Sequence, residues 1–138
     1  VWSCELESIA DRLVQGCAQQ APAYLSTEHA VNFIAVDAVE EAIKTWWRQI
    51  RLQSLAIGMT VTFKDNHVNQ PISYFTMMAW ATTTRLGCGV DRCGGNFLVV
   101  CHYQPGGNIV NSRVYEPGEP CSKCPTGTYC VSPLCSPL

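Results

Sequence analysis

Apolar residues recur at three- and four-residue steps through the first half of the chain and at two-residue or continuous spacing further on, so the pattern predicts helices followed by strands. Trp2, Leu6, Ile9, Ala10, Leu13, Val14 and Cys17 share one helical face, in a helix expected to end near Gly16-Cys17. Residues 18–36 contain Pro22 and have mixed character. Asp37-Ala38-Val39-Glu40 then reads as a capping box in which the Asp37 carboxylate accepts from first-turn amides. The second helix should run to about Leu52 with Val39, Ile43, Trp46, Trp47 and Ile50 as its apolar positions. Of the adjacent tryptophans, one is expected in the core and the other partly exposed.

Met59-Thr60-Val61-Thr62-Phe63 alternates like a short strand, and Asp65-Asn66 marks a turn. A third helix is expected over Ile72 to Thr82, with Phe75, Met78 and Ala79 in the core. The period then changes. Asn96 to Tyr103 is a β-rich run bounded by Gly94-Gly95 and by Pro105-Gly106-Gly107, so it reads as a central strand. Arg85 to Asp91 is its antiparallel neighbour, and Arg113-Val114-Tyr115 a further candidate strand. From Pro117 onward the chain is too poor in apolar residues to build a core and depends on covalent staples.

Composition narrows the classes of function. With 138 residues the chain is one domain plus a small appendage. A net charge of −2 with nine Lys and Arg offers no electrostatic case for nucleic acid or an anionic membrane. No apolar run approaches the ~20 residues of a membrane span, so no membrane insertion is expected. Nine cysteines point to an oxidising compartment, hence to a secreted, extracellular protein. Their odd number leaves one that is free, intermolecular, or paired to a segment outside this sequence. Cys121, Cys124, Cys130 and Cys135 could be drawn as a zinc site, but the extracellular setting favours disulfides. The opening Val1-Trp2-Ser3-Cys4 looks like the middle of an element.

Four blocks carry a resemblance: Tyr74-Phe75-Thr76-Met77-Met78-Ala79-Trp80, Leu86-Gly87-Cys88-Gly89-Val90, the run from Phe97 through Cys101-His102-Tyr103-Gln104-Pro105-Gly106-Gly107-Asn108 to Val110, and Glu119-Pro120-Cys121-Ser122-Lys123-Cys124. Together they resemble the CAP superfamily of cysteine-rich secretory, antigen 5 and pathogenesis-related proteins, and most strongly the hookworm activation-associated secreted proteins. The resemblance implies an α+β fold, an α-β-α sandwich over residues 1–116, with a cysteine-rich tail at 117–138. It also implies the pairs Cys17–Cys93, Cys88–Cys101, Cys121–Cys130 and Cys124–Cys135, leaving Cys4. The resemblance also implies a further N-terminal helix, expected to be missing from this sequence or to lie outside it, that would supply a partner for Cys4.

Zinc-binding members of the family hold the metal with two histidines and two glutamates, a donor set suited to a divalent cation. Here the first histidine position is Ala21 and the last is Tyr74, while Met77 replaces a glutamine. The first glutamate position matches Val31, with Glu28 nearby, and the second is Gln49. The resemblance therefore implies a cleft with no metal, no cofactor and no catalysis. His29 and His67 fall in predicted loops and His102 in a strand, the usual setting of structural histidines. No Gly-x-Ser-x-Gly elbow, paired carboxylates or phosphate loop occurs. Function must then reside in surfaces. Parasite members of the family antagonise host cell adhesion through integrins, which implies a host cell-surface receptor as partner and inhibition of platelet integrins as the activity. Lys64, Asp65 and Asn66 are candidate receptor contacts, although the chain has no Arg-Gly-Asp tripeptide. Lipid or sterol carriage is the alternative, and a zinc-dependent hydrolase the least supported one.

Overall fold

The computed structural model describes residues 1–18 and 28–138. Its centre is a three-stranded antiparallel sheet in the order β1-β4-β3, formed by β1 (Ala30–Val36), β3 (Arg85–Cys93) and β4 (Asn96–Gln104). The central position of β4 follows from its composition: Leu98, Val99, Val100, Cys101 and Tyr103 are all buried, so both faces must be covered. Residues on opposite faces serve opposite layers. Leu98 and Val100 pack with Ala10 and Val14 of helix α1 (Cys4–Val14). Val99, Cys101 and Tyr103 pack with Ala42 and Trp46 of α2 (Val39–Leu52) and with Met77 of α4 (Ile72–Met78). The result is an α-β-α sandwich with α1 on one face and α2 and α4 on the other.

Helix α1 starts at Ser3, whose hydroxyl accepts from the Leu6 amide, and lies unusually close to the sheet. The closeness depends on Gly87 and Gly89 of β3. A Cβ on Gly89 would stand 2.6 Å from backbone atoms of Ala10 and Asp11, and one on Gly87 would collide with the Glu7 amide. No side chain larger than hydrogen fits between this helix and this strand.

Between α2 and α4 the chain makes a short helical turn, α3 (Ser54–Ile57), a two-residue strand, β2 (Thr62–Phe63), and a 3-10 turn at Asp65–His67. β2 pairs with β5 (Ser112–Arg113), and the tail forms a hairpin of β6 (Thr128–Val131) and β7 (Leu134–Pro137). Four disulfides join Cys17 to Cys93, Cys88 to Cys101, Cys121 to Cys130 and Cys124 to Cys135. Cys4 is exposed and unpaired among the described residues. No helix among these residues is long and apolar enough to cross a membrane.

Several local expectations need correction. The N-cap of α2 is Ala38, in extended backbone, with no side-chain cap bond, so Asp37 stands one residue too early to reach the first-turn amides. Helix α2 carries two apolar stripes and buries only Ala42 and Trp46 fully. Val39, Ile43 and Trp47 remain 38%, 45% and 52% exposed, with Trp47 edge-on to Phe75. Helix α4 stops at Met78 rather than Thr82, and Met77 rather than Met78 is the fully buried methionine. The expected strand at Met59–Phe63 shrinks to β2 because Val61 adopts a left-handed conformation (φ 49°) and Met59 is exposed. Strand β5 covers Ser112–Arg113, not Arg113–Tyr115. β1, β6 and β7 have no counterpart in the periodicity reading.

Candidate functional site

A cleft of about 810 Å³ opens between the start of β1, helix α4 and the loop after β4. Ala30, Val31 and Asn32 form one wall; Ser73, Tyr74 and Met77 form the floor; Gly107 to Val110 close the far side. Val68, Asn69 and Gln70, which follow the 3-10 turn, complete the rim with Phe63.

The floor is fixed by buried polar contacts. The Asn32 amide donates to the Tyr74 carbonyl at 3.0 Å and to the Tyr103 hydroxyl at 3.4 Å, and burial holds the Tyr103 phenol protonated well above its ordinary range. Asn108 donates to the Ser73 carbonyl at 2.9 Å, and Thr76 donates to the Asn108 side-chain oxygen. Asn108 sits at φ 56°, a left-handed conformation that asparagine tolerates better than most residues. Gly107 brings the loop directly against Trp80 and Met77, where a Cβ would stand 2.5 Å from the indole ring.

Of the four positions that the resemblance assigns to a metal tetrad, three lie among the described residues, and only two of these, Val31 and Tyr74, line the cleft. Tyr74 lines the cleft with its ring stacked on Trp46 at 6.4 Å between centroids. Val31 also lines it, while packing towards α1 with Phe33. Gln49 is not among the lining residues and turns its amide back to the Thr45 carbonyl of its own helix at 3.1 Å. Ala21 lies outside the described residues. A valine, a carboxamide engaged with its own helix and a phenol stacked on an indole do not make a zinc donor set. Among the described residues no three His, Cys, Asp or Glu side chains gather as a cation site. These residues do not fit a metal.

Among the described residues lining the cleft none carries a formal charge. The one aliphatic hydroxyl among the described lining residues, on Ser73, donates to the Gln70 carbonyl at 2.6 Å and has no imidazole or carboxylate among those residues to activate it. The described lining can therefore hold an uncharged or weakly polar group through apolar walls and carboxamides.

Beside the cleft, Lys64, Asp65 and Asn66 are exposed on the 3-10 turn. The turn is braced from beneath by His67, which is only 2% exposed. Its Nδ1 accepts from the Lys64 amide at 2.9 Å, and its Nε2 donates to the Ala56 carbonyl. His67 is thus a structural residue, on a connecting turn as expected but with its ring buried. His29 lies outside the helices and strands and His102 in β4, as the sequence reading has them; their contact, His29 Nδ1 to His102 Nε2 at 3.0 Å, is what that reading did not anticipate. Sequence reasoning missed Asn32, Ser73 and Asn108 as cleft residues; the apolar run Ala30 to Val36 with a single asparagine in it was the available signal for Asn32.

Residues 1–103 match the CAP family, described as the cysteine-rich secretory protein family. The chain is 32% identical to the Ancylostoma secreted protein of Ancylostoma caninum over 150 aligned residues, covering 99% of this chain and 35% of that protein. Among solved structures, Na-ASP-1 superposes with a TM-score of 0.83 at 30% identity, covering 99% of this chain and 37% of its own. The hookworm platelet inhibitor superposes with a TM-score of 0.69 at 29% identity, covering 94% of this chain and 69% of its own. The chain thus spans about a third of the length of the first two of these relatives. With the sandwich, the disulfides and these likenesses taken together, the chain belongs to the CAP family.

Proposed function

We propose that the chain is a secreted binding protein that antagonises host cell adhesion, most concretely by blocking platelet integrins, and that it is neither a metalloprotein nor an enzyme. The observation that carries this reading is the pairing of a charge-free cleft, without a metal donor set, with an exposed Lys64-Asp65-Asn66 turn held rigid beside it. A braced turn loses little conformational freedom on docking, so its carboxylate is available to a receptor's cation at low entropic cost. Likeness to the hookworm platelet inhibitor supports the direction, and likeness to a secreted hookworm protein supports the compartment. In this reading residues 1–116 form the recognition domain and residues 117–138 an appended stapled hairpin.

Integrin-dependent adhesion of platelets to immobilised ligand tests it. The purified protein is expected to inhibit at micromolar concentration. Asp65→Asn, which keeps the shape and removes the charge, should weaken inhibition by about tenfold or more, the scale of a lost interface anchor. Absence of inhibition by the unaltered protein would refute the reading. The charge-free cleft also favours a second reading, carriage of a neutral lipid or sterol, because apolar walls need no ion to be satisfied. Native mass spectrometry decides that point: co-purified lipid displaced by a bulky residue at Met77 supports carriage, and lipid-free protein opposes it.

A further inference from the structure

His102 stands in the middle of the central strand, opposite Val31 on β1 and opposite Gly87 on β3. It shares the face of β4 that carries Leu98 and Val100, so its ring is directed to the side covered by α1. Only 2% of it is exposed. Its Nε2 meets His29 Nδ1 at 3.0 Å with the two rings near perpendicular, and among the described residues its Nδ1 is buried with no hydrogen-bond partner. His29 is half-buried and immediately precedes β1.

Two imidazole nitrogens this close can share one proton, with one ring donating and the other accepting. They cannot keep that contact once each nitrogen carries its own proton, because two N–H groups then face each other within a doubly positive pair. Among the described residues no carboxylate is bonded to His102 to offset such a charge. On α1 the nearby charges are Glu7, which accepts the Trp2 indole N–H, and Asp11 beside Gly89. On β3 Arg85 is bound to Glu5, Ser3 and Gln104. Glu28, next to His29 in the chain, and His29 itself each take part in further interactions.

We propose that the His29–His102 pair is an acid-sensitive latch that fastens the leading end of β1 to the central strand and releases it when both rings are protonated. The consequence reaches the cleft, since Ala30, Val31 and Asn32 immediately follow His29 and form its wall. Acid would thus loosen the wall of the cleft while the core of the sandwich holds. The latch is a property of the fold, and its test does not depend on the identity of the receptor.

The direction of the effect follows from burial, which with the neighbouring His29 lowers the proton affinity of His102 in the closed state. The open state then binds protons more readily, so closure is complete above the ordinary imidazole range, near pH 6.5, and weakens as pH falls through it. Amide hydrogen exchange at Ala30, Val31 and Asn32, corrected for intrinsic rates, measures this directly. Protection there is expected to fall about tenfold or more between about pH 7.5 and about pH 5.5, a window that spans the ordinary imidazole range. His102→Phe should abolish the pH dependence. His29→Ala, at a half-buried position, should lower protection at both pH values and flatten the profile. A pH-independent profile in the unaltered protein, or a dependence that survives in His29→Ala, would overturn the proposal.

Discussion

Gly87→Ala is expected to be the most damaging single substitution on the sheet. The added methyl would lie 2.5 Å from the Leu6 carbonyl carbon and 2.8 Å from its Cβ, in addition to the collision with the Glu7 amide. Most of these atoms are backbone, so relief requires α1 to lift away from β3. Overpacking of this kind costs about 1–3 kcal/mol where neighbours can yield, and the expected loss here is at or above the top of that range. Gly95→Ala is the matched control: an added Cβ meets nothing within 4 Å, and the expected change stays within about 0.5 kcal/mol. Urea unfolding midpoints of the two variants provide the comparison. Equal midpoints would mean that α1 does not rest on the sheet through glycine.

The second large effect concerns the Cys17–Cys93 disulfide, which ties the residues after α1 to the far end of β3 across 76 positions. Cys88–Cys101 joins two directly opposed residues of one hairpin only 13 positions apart. In the chain-entropy model, the longer loop is worth about 4.5 kcal/mol and the shorter about 3 kcal/mol. Removing Cys17–Cys93 as a serine pair should therefore destabilise more than removing Cys88–Cys101 in the same way. The sheet contributes to the contrast, because nine cross-strand residue pairs already hold β3 to β4 around Cys88–Cys101. Calorimetric midpoints under non-reducing conditions test the order, and a reversed order would place the critical staple within the hairpin.

These effects show where the fold is legible in the sequence. The run Asn96 to Tyr103 announces itself because a strand covered on both faces has nowhere to place polar residues, and only His102 interrupts it. Helix α2 is equally plain from its period, but period cannot say which of two apolar stripes is buried. Packing decides that, through Ala42, whose small side chain lets the helix approach, and Trp46, which fills the space beside Tyr74. β1 is hidden for a different reason. Its seven residues lie beside a proline-containing stretch with no turn signal to mark its start, and its pairing with β4 links segments about 70 residues apart.

The cleft is partly legible. Tyr74 and Val31 are visible as departures from a motif, and the structure brings both to the cleft. Gln49 also departs, but its helix directs the amide elsewhere, which a linear motif cannot reveal. The His29–His102 contact joins residues 73 positions apart and depends on β1 pairing with β4 in one register, so each histidine alone looks structural. Lys64, Asp65 and Asn66 read as a surface turn in sequence and in space. What the structure adds is the buried His67 that holds them in place.

The central proposal is that this chain acts by recognition at its surface and binds no metal in its cleft. Zinc content is the most direct measurement: equilibrium dialysis of the Cys4→Ser protein against zinc, with elemental analysis of the bound metal. The account predicts no stoichiometric zinc. One zinc ion per chain, retained through dialysis and released by Tyr74→Phe, would contradict it.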